Sequence, residues 1–66
     1  MEKILQKINN GEAKEIGQGP WIKNSCFLIF EVDGKFYSIM MEDQINCWLI
    51  DETLEEIQED EIKNYI

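Results

Sequence analysis

Apolar residues recur along this chain with two different periods, and each period predicts a different element. Near the start, Met1, Ile4, Leu5 and Ile8 fall at i, i+3, i+4 and i+7, the spacing of one helical face. Asn9-Asn10-Gly11 supplies the stop, with Gly11 the expected C′ residue because glycine adopts a left-handed backbone freely. So short a helix does not hold alone in water, so tertiary packing must fix it.

The period then changes to two. Cys26–Val32 and Lys35–Met41 flank Asp33-Gly34, the favoured pair for a type I′ two-residue hairpin turn. Pairing Val32 with Lys35 fixes the register by counting. One face then carries Cys26, Leu28, Phe30 and Val32 beside Tyr37, Ile39 and Met41, which is apolar enough to be core. The other carries Phe27, Ile29 and Glu31 beside Phe36, Ser38 and Met40. Phe27, Ile29, Phe36 and Met40 on that second face need a cover.

Between helix and hairpin, Glu12–Ile16 reads as a short edge strand, and Gly17-Gln18-Gly19-Pro20 reads as a loop, since two glycines and a proline suit no element interior. Beyond the hairpin, Ile45–Ile50 resumes an alternating pattern and predicts a third strand. A helix starting after Asp43 is the competing reading, because short apolar runs fit both. Thr53-Leu54-Glu55-Glu56 matches a capping box, with Asp51 an alternative cap. A C-terminal helix follows, with Leu54, Ile57, Ile62 and Tyr65 on one side and Glu52, Glu56, Glu59 and Asp60 pointing away. The fold class expected for residues 1–66 is one small α+β domain: a short N-terminal helix, a small antiparallel sheet centred on the 26–41 hairpin, and an acidic C-terminal helix.

Charge sharpens this picture. From Ser38 to Ile66, nine carboxylates (Glu42, Asp43, Asp51, Glu52, Glu55, Glu56, Glu59, Asp60 and Glu61) face one cation, Lys63. From Met1 to Tyr37, five acids balance five lysines, so the net charge of -8 belongs to the second part. Such a one-sided field repels nucleic acid and anionic membranes and attracts basic surfaces. In the expected helix, Glu52–Glu56, Glu55–Glu59 and Glu56–Asp60 are like-charge i, i+4 pairs, each unfavourable by roughly 0.2–0.5 kcal/mol. Only Glu59–Lys63 runs the favourable way.

Length and residue types narrow the chemistry. Sixty-six residues give one core and a thin stability margin, since a domain this size buries only about 60% of its unfolded surface. The 44% apolar content argues against disorder. The start lacks the charged-then-apolar pattern of a secretory signal, no apolar run is long enough to span a membrane, and two cysteines make no disulfide framework. A cytoplasmic protein with reduced thiols is expected, with Cys26 and Cys47 both buried and Trp21 and Trp48 both in the core.

Histidine is absent, which removes the commonest general base, the serine triad and imidazole metal ligands. Two cysteines 21 residues apart cannot hold zinc alone. Gly17-Gln18-Gly19 lacks the rest of a phosphate loop, and the acidic stretch lacks the glycine of a calcium loop. No cofactor, no metal and no enzymatic activity are expected. The function expected is a binding protein whose residues Glu52, Glu55, Glu56, Glu59 and Asp60 occupy a basic site on a partner protein. Its sharpest form is a nucleic-acid mimic of the kind phages make as inhibitors, on an analogy of size and charge. The alternative is a subunit that self-associates through Phe27, Ile29, Phe36 and Met40, with the acids only solubilising.

Overall fold

The Asp33-Gly34 turn sets the sheet. In a computed structural model covering residues 1–66, Asp33 has φ 52° and Gly34 φ 79°, the two positive values that a type I′ turn demands. Strand β2 (Ser25–Val32) therefore pairs with β3 (Lys35–Glu42) from Val32↔Lys35 through to Ser25↔Glu42 without a slip. A β-branched side chain suits positive φ poorly. Gly34→Val is expected to cost about 1–3 kcal/mol and lower the Tm by at least about 5 °C. Thermal unfolding followed by circular dichroism checks this, and an unchanged Tm contradicts the turn type.

Strand β1 (Lys14–Gln18) joins the free side of β2, and β4 (Trp48–Ile57) joins the free side of β3. The sheet is a fully antiparallel meander in the order β1-β2-β3-β4, so β1 and β4 are its edges. Helix α1 (Glu2–Asn9) precedes the sheet, and a six-residue 3-10 helix (Glu59–Asn64) follows it. The architecture is α+β, as the periodicity predicts. Gly11 has φ 83° directly after the helix, the left-handed stop expected of it.

The expected core face is the real one. Cys26, Leu28, Phe30, Ile39 and Met41 form one buried cluster with Ile8 of α1, and Ile4, Leu5, Ala13, Trp21, Leu49 and Leu54 pack around it. Trp21 is half-buried there. The second face is covered from the other side by the chain's end. Tyr65 meets Phe27 edge-on, with ring centroids 5.0 Å apart, and Ile29 and Ser38 are buried beneath.

Four expectations are corrected in the second half. The third strand does not begin at Ile45: residues 44–46 form a turn, and Ile45 is 91% exposed. Asp43 causes this, because its Oδ1 accepts from the Ile45 and Asn46 amides at 3.1 and 3.3 Å and diverts both from any ladder. The strand begins at Trp48, which is 62% exposed rather than core. It pairs with Glu42 on the second face, at the end of β3. Cys47 is exposed, since the turn holds it at φ 56° with its Sγ against the Gln44 carbonyl; only Cys26 is a buried thiol.

The largest correction concerns Asp51–Ile57, which is strand rather than the start of a helix. Thr53 caps nothing. Its hydroxyl accepts from the Met40 amide and donates to the Ile50 carbonyl, both at 2.7 Å, inside a wide bulge. There Asp51–Leu54 bulge out opposite Ile39, between the pairs Met40↔Ile50 and Ser38↔Glu55. The capping box forms later, at Gln58 and Glu61, where the Glu61 carboxylate accepts from the Gln58 amide at 2.8 Å. Two physical reasons favour the strand. Pairing with β3 satisfies backbone groups that an isolated helical turn would leave open, and it removes the helical i, i+4 geometry that would stack the glutamates.

Candidate functional site

Two surface features carry chemistry, and they lie on different parts of the sheet. The first is the acidic edge. Glu52 stands in the bulge of β4, Glu55 and Glu56 follow in the same strand, and Glu59 and Asp60 begin the 3-10 helix. All five are exposed. They do not form a single helical row. Glu55 pairs opposite Ser38 and Glu56 opposite Tyr37, so these neighbours point to opposite faces of the sheet. What the fold brings together is a rim: β4 is an edge, and its bulge, strand and following turn all end in carboxylates. None of them has a counter-ion. The protein's one ion pair, Lys7 to Asp33 at 3.3 Å, lies in the neutral half and ties α1 to the hairpin turn. The expected Glu59–Lys63 pair is not made.

An edge strand offers unpaired N–H and C=O groups to any passing strand, and charge on that edge opposes such pairing. The carboxylates of β4 have this effect at the least, because two copies meeting there would bring like charges together. No three carboxylates or thiols converge to hold a metal ion.

The second feature is a cleft of about 540 Å³ where the β1–β2 loop meets the C-terminal tail. Phe27 and Tyr65 line it with Cys26, and Ile22 and Ile66 form apolar walls. Lys63, Ser25 and Asn64 supply its polar groups. Two glycines let the tail lie there. A Cβ on Gly17 would stand 2.6 Å from Ile66 Cδ1, and a Cβ on Gly19 would strike the Tyr65 backbone carbonyl. Gly17-Gln18-Gly19, which resembles a phosphate loop only in outline, is thus a seat for the chain's end. Sequence reasoning missed this cleft. Its residues come from two distant segments, 20–27 and 63–66, with no shared period, and the paired glycines were the only local signal.

Burial pushes the Cys26 thiol above its ordinary range, partly offset by a hydrogen bond with Gln18. Asp43, half-exposed, is held below the ordinary carboxylate range, chiefly by the Asn46 side-chain amide at 2.7 Å and then by backbone donors. Its loop is further tied by the Gln44 amide to Asn24 Oδ1 at 3.0 Å. A depressed folded-state pKa means the ionised Asp43 stabilises the loop above the ordinary carboxylate range. That stabilisation disappears as pH falls through the lowered value. The Ile45 and Asn46 amide resonances are therefore expected to titrate together, with a midpoint below that of an unperturbed aspartate. A midpoint at or above the ordinary value contradicts the capping geometry.

No helix is long and apolar enough to cross a membrane. No protein-family model, curated protein or solved structure matches the chain.

Proposed function

We propose that this is a non-enzymatic, cytoplasmic binding protein whose acidic edge occupies a basic site on a partner protein. The observation that carries the reading is the set of exposed carboxylates without counter-ions on the edge strand β4, Glu52, Glu55 and Glu56, and on the 3-10 helix that follows it, Glu59 and Asp60. Charge unbalanced by internal ion pairs is available to an external partner and steers its approach. Reduced Cys26 and Cys47 suit a reducing compartment. In the sharper form, the partner's basic site is one that holds nucleic-acid phosphates, and the acidic rim competes for it. The evenly spaced helical row that would imitate a phosphate backbone is absent, so this form now rests on charge alone.

Affinity capture at low and high salt tests the proposal. The expected result is a basic protein that is retained at low salt, released by salt and displaced by DNA or RNA. Capture of partners indifferent to salt removes the reading. Self-association through Phe27, Ile29, Phe36 and Met40 has less to support it. Ile29 is fully buried within one copy, and Phe27, half-buried like Phe36 and Met40, already contacts Tyr65.

A further inference from the structure

The cleft beside the C-terminal tail combines features found nowhere else on this surface. Its volume of about 540 Å³ falls within the roughly 300–1,000 Å³ of small-molecule sites, which are mostly apolar with a few placed polar groups. Ile22 and Ile66, which line it with Phe27 and Tyr65, stay 65% and 42% exposed. The polar group that matters is Lys63. It is the only cation from Ser38 to Ile66, yet it makes no ion pair with any of the nine carboxylates of that segment. Lys63 lines the apolar cleft instead.

We propose that this cleft binds a small amphiphilic carboxylate, with its apolar body against Phe27 and Tyr65 and its carboxylate at Lys63. The Ser25 hydroxyl and the Asn64 amide offer further donors at the polar end. The net charge of -8 does not forbid a single anion here. Exposed charges beyond about 8 Å are largely screened at physiological ionic strength. The acids that oppose the ligand are therefore those close by, Glu59, Asp60 and Glu61 in the same 3-10 helix as Lys63, and they lower the affinity expected for an anion. A polyanion, by contrast, would extend into the acidic field and be repelled. None of the cleft residues belongs to the acidic edge, so the proposal stands or falls independently of the partner reading.

Amide NMR titration of the full chain with sodium octanoate, and separately with octanol, tests it. Octanoate is expected to give saturable shifts at Ile22, Phe27 and Tyr65. Lys63→Gln should weaken octanoate about tenfold, as the loss of a charge-assisted hydrogen bond predicts, and leave octanol unchanged. Lys63→Arg should retain binding, and Ile22→Glu, at an exposed position, should weaken both ligands. Shifts that stay linear to the solubility limit of octanoate overturn the proposal. So does an affinity for octanoate that is equal in wild type and Lys63→Gln, or that does not exceed the affinity for octanol.

Discussion

Ile39→Ala is expected to remove most of the stability of this domain. Ile39 has no exposed surface, lies in a central strand and faces the cluster beneath α1. Truncating a buried isoleucine to alanine costs about 2–5 kcal/mol, part lost transfer energy and part cavity. A 66-residue domain has in total about 3–10 kcal/mol at typical per-residue stability. The three carbons beyond Cβ of one side chain therefore account for a large share of the margin. The bulge makes collapse of the cavity difficult, because Asp51–Leu54 already loop out opposite this residue and the Thr53 hydroxyl fixes their path. Urea unfolding should show a midpoint shifted strongly downward with an unchanged m value. Ile45→Ala, at a position 91% exposed, should leave the midpoint in place. A cost below about 1 kcal/mol at Ile39 would mean that the core is organised differently.

The parts of this fold that were legible in the sequence are those governed by local chemistry or strict alternation. Asp33-Gly34 dictated its own turn, and counting outward from it placed Cys26–Val32 and Phe36–Met41 on the correct faces. Helix α1 and the stop at Gly11 followed from spacing and from one glycine. The second half was less legible because two local signals competed there. Thr53-x-x-Glu56 is a sound capping box by composition, but a threonine hydroxyl can equally bridge backbone groups within a sheet, and here Met40 and Ile50 claim it. The choice depends on whether β3 offers a free edge, which is a tertiary fact that no window of neighbouring residues contains. Likewise Asp43 reads as a plain loop residue until its carboxylate is seen holding three donors from Ile45 and Asn46.

The same competition decided what was visible of the candidate sites. Charge segregation can be counted from the sequence, so the five carboxylates stand out there as candidates, but their arrangement depends on the element that carries them. On a helix, the row would have been slightly unfavourable through i, i+4 repulsion. On an edge strand, adjacent glutamates diverge to opposite faces and the same charges protect the sheet from edge pairing. The edge placement gives the acids a structural benefit that the helical reading lacked, so function must be tested against that benefit.

Replacing Glu52, Glu55, Glu56, Glu59 and Asp60 together with glutamine is the substitution expected to affect binding most. All five are exposed and none has a counter-ion, so the fold should change by no more than about 0.5 kcal/mol per site. Binding to a basic partner should fall by orders of magnitude. Close charge pairs at such interfaces couple by about 1.5–7 kcal/mol, and even the low end across several pairs exceeds a thousandfold. The salt dependence of whatever binding remains should flatten, because fewer charges meet. Location is separated from net charge by a control in which Glu2, Glu12 and Glu15, all exposed in the neutral half, become glutamine. If the edge is the site, that control binds nearly as wild type while Glu52, Glu55 and Glu56 changed together lose most of the affinity. Equal losses in the two triple variants would show that only overall charge matters. An unaffected complex would assign the acids to protecting β4, and a soluble five-glutamine variant that forms higher oligomers through its uncharged edge would be the direct sign of that role.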